Sequence, residues 1–293
     1  MLAPTTEATI DFSKPFLPLR IAPLCHTTSY ARLSEAQKLR YNQLHALYFN
    51  EQTIFFESQM AQHILRDFLL HKLPERLSDG LKTFIAEESE HSKMFRELNR
   101  SCRPDIYAQG DFYFVSVPLL PAACLRQWVK HAHWFPFFLW ILLIQEERAL
   151  FYAKEFLSEG DRLESNFVAA QRRHLADEVG HIQWDEELLD WVWPRMGKAW
   201  RKSNAKLFAW MMGEYFTTPK RSGLRVVAEL VKEFPALQPL WPEMRSQMLQ
   251  LSDNQEFNLL CYSRDVTPKA FARFDQCPEF HCLCNVLPGY HPL

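Results

Sequence analysis

Apolar residues recur at three- and four-residue spacing along most of the chain, without the strict alternation that marks a half-buried strand. Only 8 glycines punctuate 293 residues. The pattern predicts an all-α protein. Residues 1–33 carry Pro4, Pro15, Pro18 and Pro23 and read as an extended N-terminal arm. Ser34 and Gln37 then stand at the spacing of a capping box, which opens a first helix running, with a break, to about Leu70. Pro74 opens a second helix that reaches about Asn99, where the SCRPD stretch stops it. Residues 101–118 read as loop. A third helix is expected over about 121–156 and a fourth over about 165–193, with a break at 158–161. Four long helices in series predict a bundle within 34–274, leaving 275–293 as a Cys-containing C-terminal tail.

The chemistry lies in what these helices carry. The second holds Glu88-Ser-Glu-His91 and the fourth holds Glu178-Val-Gly-His181, and an i, i+3 spacing sets a carboxylate and an imidazole on one helix face. The first offers Glu57 in FFESQ and the third Glu147 in IQEERA, both within strongly apolar surroundings. An ionised carboxylate is costly to bury unless it is paired or coordinates a metal, so acids on bundle-facing stripes call for cations. One Glu from each of two helices plus a Glu-x-x-His from each of the other two is the general donor set of ferritin-like di-metal carboxylate proteins. The expected fold is therefore a ferritin-like four-helix bundle core with additional helices. Four glutamates neutralise two divalent cations, and oxygen and imidazole donors suit iron or manganese better than a thiolate site does.

The register of this set stays open by one residue, because Glu87 and Glu146 adjoin Glu88 and Glu147, and Glu51 competes with Glu57. His174 lies four positions before Glu178 and seven before His181, on the same face, where it can ligate or hydrogen-bond a neighbouring carboxylate. Asp177 adjoins Glu178 and reads equally as a partner for a ligating imidazole or as a solvent-facing acid. His45, His63, His71, His131 and His133 have no carboxylate at the paired spacing on a matching helix and read as ordinary core or surface residues.

Composition narrows the class further. A formal net charge of -2 gives no basic footprint for nucleic acid and no polybasic membrane contact. The apolar run at 134–144 contains Pro136 and stops at Gln145, Glu146 and Glu147, so it is too short to span a bilayer and reads as a buried helix. The amino-terminal MLAPTTEATIDF has neither the positive start nor the apolar core of a secretory signal, and a cytoplasmic protein is expected. Seven scattered cysteines argue against a disulfide framework. Cys277, Cys282 and Cys284 cluster with His281, but without the paired C-x-x-C spacing of a structural zinc site.

The segments FFESQ, IAEESEHSKMF, IQEERA and RRHLADEVGHIQWDEEL resemble the p-aminobenzoate N-oxygenase family of di-iron proteins, over roughly residues 36–260. In that family a histidine preceding the last Glu-x-x-His serves as an additional ligand, and His174 occupies the matching position. The resemblance thus implies Glu57, Glu88, His91, Glu147, His174, Glu178 and His181 as metal ligands, two iron ions as cofactor with manganese as the alternative, and dioxygen as co-substrate. It implies a monooxygenase of biosynthetic type that takes a small-molecule amine, free or bound to a carrier protein, to a hydroxylamine and in further turns to nitroso or nitro products. An oxidase attacking carbon and a non-catalytic ferritin-like iron-binding protein are the alternatives. No G-x-G-x-x-G is present, so electrons are expected from a separate reductase or other external donor. The sequence leaves the oligomeric state open, with a homodimer as one option. Arg225 and Arg264 read first as surface cations and second as candidate anchors for a substrate carboxylate.

Overall fold

The computed structural model describes residues 9–217 and 220–293, so the first eight residues of the expected arm lie outside it. Four long helices form the centre: α1 (Glu35–Phe55), continued through a π-helical segment (Phe56–Ala61) into α2 (Gln62–Leu69); then α3 (Glu75–Cys102), α6 (Phe137–Ser158) and α7 (Ser165–Val192). Between α3 and α6 lie α4 (Pro104–Tyr107) and α5 (Leu119–Val129). After α7 come α8 (Lys198–Met211), α9 (Ser222–Glu233), α10 (Trp241–Leu249), α11 (Gln255–Cys261) and α12 (Pro268–Gln276). No strand occurs among the described residues. The packing order is α1 on α3, α3 on α7 and α7 on α6, while α9 covers α1 and α12 covers α6. The all-α, ferritin-like bundle expected from the sequence is what the chain forms.

Local chemistry sets the helix ends. The capping box of α1 is present: Gln37 N donates to Ser34 Oγ at 3.4 Å and Ser34 N donates to Gln37 Oε1 at 2.9 Å. Glu164 caps α7, its Oε2 accepting from Asn166 N at 2.8 Å and Phe167 N at 3.1 Å, where a negative charge also complements the helix dipole. The break in the first helix is the π segment, and Glu57 sits in it. The expected third helix over 121–156 is in fact two, α5 and α6, joined by residues 130–136. Phe135 has φ -124° and ψ 57°, outside the helical region, because the ring of Pro136 disfavours helical backbone in the residue before it. From Phe137 to Ile144 every side chain is buried, so the start of α6 is apolar all round and packed on all sides.

Two outer segments are fastened to this centre. In the arm, Asn42 Oδ1 accepts from Phe16 N at 2.7 Å and Leu17 N at 3.2 Å, and Phe16 stacks on Phe167 of α7. At the other end the 3-10 turns of Pro278–Asn285 lie against α8, with Phe280, Leu283, Leu287 and Tyr290 fully buried. All seven cysteines are free. No helix among the described residues is long and apolar enough to cross a membrane.

Candidate metal centre

Glu57, Glu88, His91, His174, Glu178 and His181 converge between α3, α6, α7 and the π segment, every one buried. Two groups of donors gather here: Glu88, His91, Glu178 and His181 offer ligand atoms that all lie within 4.8 Å of one another, and so do Glu57, His91 and His174. The i, i+3 spacing read from the sequence is what aims each Glu-x-x-His pair inward. His174, one turn earlier on α7, sets Nε2 at 2.8 Å from Glu178 Oε1 and 3.2 Å from Glu57 Oε1.

Glu147 is the expected site residue that the structure does not bring in. Consecutive helical residues point about 100° apart. Glu147 turns to the N-terminus of α12, its Oε1 accepting from Lys269 N and its Oε2 from Ala270 N, each at 2.8 Å. Glu146 faces the cluster instead, with Oε2 3.9 Å from His181 Nδ1. Asp185 was not anticipated: it is fully buried, one turn beyond His181, with neither oxygen hydrogen-bonded. Its i+4 spacing from His181 and i+7 spacing from Glu178 was the available signal.

The outer face of the site is reciprocal. His91 Nε2 donates to Asp177 Oδ2 at 3.0 Å, crossing from α3 to α7, and His181 Nε2 donates to Glu87 Oε2 at 3.1 Å, crossing from α7 to α3. Each acid directly precedes the glutamate of the opposite Glu-x-x-His. Holding both Nε2 protons outward turns both Nδ1 atoms inward toward the carboxylates, which is how a carboxylate orients an imidazole that ligates a metal. Asp177 was a sequence candidate for this role, whereas Glu87 stood only as an alternative to Glu88.

The donor set tests well against a metal pair. Glu88 Oε1 and Oε2, Glu178 Oε1 and Oε2, Glu57 Oε1, Glu146 Oε1, His91 Nδ1 and His181 Nδ1 are buried and lack a hydrogen bond of good geometry. Buried polar atoms are normally satisfied, and here the unsatisfied ones gather at one place and are all metal donors. Protonation reports the same crowding. Burial, aided by the charge of Glu88, pushes the Glu57 carboxyl up to about 8, and burial raises Glu88, Glu146 and Asp185 as well. Burial opposes charge on Glu178, yet His174 beside it holds it well below the usual carboxylate range. Burial also opposes protonation of His174 and His181, but the surrounding carboxylates outweigh it and raise both, whereas burial takes His91 down to about 4. Protons on carboxyls and imidazoles therefore balance the acids when no metal is bound, and cations would displace them.

A cavity of about 480 Å³ adjoins the cluster, reaching Glu57, Glu146 and His174 on one side. Its walls are mainly apolar and aromatic, including Phe49, Phe55, Phe56, Leu125 and Trp128, with Thr53, Arg148 and Tyr152 among the polar groups. Neither arginine singled out in the sequence lines it: Arg225 is exposed, and Arg264 pairs with Asp275 at 2.8 Å.

A helical bundle whose central helices enclose these carboxylates and imidazoles defines a ferritin-like protein of the metal-carboxylate class. The family model for P-aminobenzoate N-oxygenase AurF matches residues 3–247, and the chain belongs to that family. The match begins inside the N-terminal arm, beyond the 36–260 span over which the sequence resemblance was drawn. A comparison with curated proteins gave no match.

Proposed function

We propose that the chain is a di-iron N-oxygenase that converts an amine to a hydroxylamine. The observation that carries this reading is a buried cluster of unsatisfied carboxylate and imidazole donors opening onto an apolar cavity, in a member of an N-oxygenase family. Glu57, Glu88, His91, Glu146, His174, Glu178 and His181 would hold two metal ions, and iron there would supply the reduction of dioxygen and the transfer of one oxygen atom to nitrogen. The balance is amine, dioxygen, two electrons and two protons in, hydroxylamine and water out. The electrons come from an external donor.

The chain's own residues do the rest. Asp177 and Glu87 fix the two imidazoles, and aromatic walls exclude water from the reacting nitrogen. Arg148 would bind an anionic group of the substrate. It lines the cavity, is half-buried, and donates to Gln145 Oε1 and Tyr262 OH at 2.7 and 2.8 Å. A partly shielded cation held by neutral partners at a cavity wall favours entry of an anion. The substrate proposed is a small amine carrying a carboxylate, with nitrogen toward Glu57 and Glu146.

The test is iron-loaded protein with a reductant and dioxygen, offered matched aryl and aliphatic amines across neutral pH. An arylamine is already neutral near pH 7, so its turnover should stay flat, whereas an aliphatic amine, mostly ammonium, should turn over faster as pH rises. Hydroxylamine carrying one oxygen from labelled dioxygen supports the proposal. Oxidation only of substrates lacking an amine would replace it with the carbon-attacking alternative, and uptake of iron far beyond two ions per chain without turnover would replace it with storage.

A further inference from the structure

Outside the buried centre, one other group of metal-ligating side chains gathers at a single point among the described residues. Asp67 lies in the last turn of α2 and His71 just past the C-cap residue Leu70 of that helix. His133 reaches them from the 3-10 turn Ala132–Trp134 in the connector between α5 and α6. Ligand atoms of the three residues all lie within 4.8 Å of one another. The imidazole rings of His71 and His133 sit with centroids 4.2 Å apart, and the ring of His131, which is exposed, lies 6.3 Å from that of His133. None of these residues belongs to the buried cluster or lines its cavity.

From this geometry we infer that Asp67, His71 and His133 form a second metal site, for a single divalent cation of the zinc type. Two imidazoles and a carboxylate are a donor set that zinc accepts, with water filling the remaining position. The carboxylate is held in advance. Asp67 is buried, and its Oδ2 accepts from His133 N at 2.8 Å and His133 Nδ1 at 2.7 Å. A cation displaces the proton on the ring nitrogen, while the backbone N–H keeps Asp67 in place. Because His71 is exposed, the ion has an entry path from solvent. An ordinary hydrogen bond between His133 and Asp67 would account for two of the three residues. It gives no reason for a second imidazole at this distance on the same carboxylate.

Position gives the site its consequence. The connector it would clamp joins α5, whose Cys124, Leu125 and Trp128 line the cavity, to α6, which carries Glu146. Occupancy therefore ties the cavity wall and a carboxylate of the buried cluster to the end of α2. The inference does not rest on the N-oxygenase reading, since the ion is held by residues that take no part in it.

Cobalt(II) titrated into the full-length, metal-free protein tests it, with bound equivalents counted by equilibrium dialysis. Wild type is expected to bind one equivalent more than His71→Ala and one more than His133→Ala, with all three chains equal in helical content by circular dichroism. His71→Ala is the safer variant, because an exposed side chain contributes little to folding. Equal cobalt uptake by wild type and His71→Ala overturns the site, whatever His133→Ala does, and leaves the buried centre untouched.

Discussion

Two kinds of buried carboxylate stand side by side in this protein. Glu51 and Glu57 are less than two turns apart on the first long helix, and both are shielded from solvent. Glu51 is surrounded by donors: its oxygens accept from Tyr107 OH at 2.6 Å and from the backbone N–H groups of Tyr113, Phe114 and Val115. Burial still raises its carboxyl, with these four donors pulling the other way. Glu57 has Ser92 Oγ on one oxygen, and its other oxygen faces the imidazole of His174. Glu147 and Glu146 repeat the contrast on α6, one on the backbone of α12 and the other among acids and histidines. Burial alone does not mark an acid as a ligand. What separates the two kinds is whether hydrogen-bond donors of the chain already complete the site, and only the incomplete ones require a cation from outside.

The largest effect should come from the middle of the incomplete group. Glu178→Ala and Glu88→Ala should each lower iron occupancy by more than half and turnover by about a hundredfold or more, since outer partners alone are worth roughly ten- to a hundredfold in such sites. Metal-free Glu88→Ala should melt no lower than metal-free wild type, because it removes a desolvated acid from a crowded cluster. Metal analysis beside a thermal melt checks both points. Full iron retention in both variants would rule out the assignment.

Next in size is the pair on α6, which sets the two kinds of carboxylate directly against each other. Glu146→Ala should lose iron, whereas Glu147→Ala should keep it and lose stability by about 2 kcal/mol, from two backbone hydrogen bonds to a carboxyl that burial pushes up to about 7. Iron per chain and a urea unfolding midpoint for each variant decide it. Iron loss in Glu147→Ala with retention in Glu146→Ala would reverse the reading of this helix.

This same pair shows what the sequence could and could not reveal. The two Glu-x-x-His motifs were legible because ligand and fold share one periodicity: an i, i+3 spacing sets both donors on the face that the apolar pattern already turns inward. Asp177 was legible only as the neighbour of Glu178, with a solvent-facing role equally open, and Glu57 could be preferred to Glu51 only through the family resemblance. The choice between Glu146 and Glu147 was not legible. Both follow an apolar run, and the group that claims Glu147 is the backbone of Lys269 and Ala270, more than a hundred residues away in the chain. The division of the third helix was half legible, since Pro136 was visible but the preceding 3-10 turn was not. Glu87 escaped because acids on a helix are usually solvated and nothing local distinguishes one that crosses to a neighbouring helix, whereas Asp185 carried a signal, its spacing from His181 and Glu178, that went unused.

The smallest effect should come from the acids that hold the imidazoles from outside. Asp177 and Glu87 touch no metal donor position themselves; they accept hydrogen bonds from the Nε2–H groups of His91 and His181 and thereby turn each Nδ1 inward. Asp177→Asn keeps the shape of the side chain and can still accept that hydrogen bond through its amide oxygen, but it removes the negative charge that makes the imidazole a stronger donor. Iron affinity should therefore fall by about tenfold, roughly 1.4 kcal/mol, while Asp177→Ala, which leaves the ring free to turn, should cost more. Because Asp177 is partly exposed, the charge is screened by solvent and the loss should sit at the low end of what such partners contribute. The graded series wild type, Asn, Ala is the sharp part of the prediction, and competition with a chelator of known affinity measures it. If Asn and Ala weaken iron equally, orientation contributes nothing beyond charge, and if neither weakens it, the reciprocal contacts serve only to join α3 to α7.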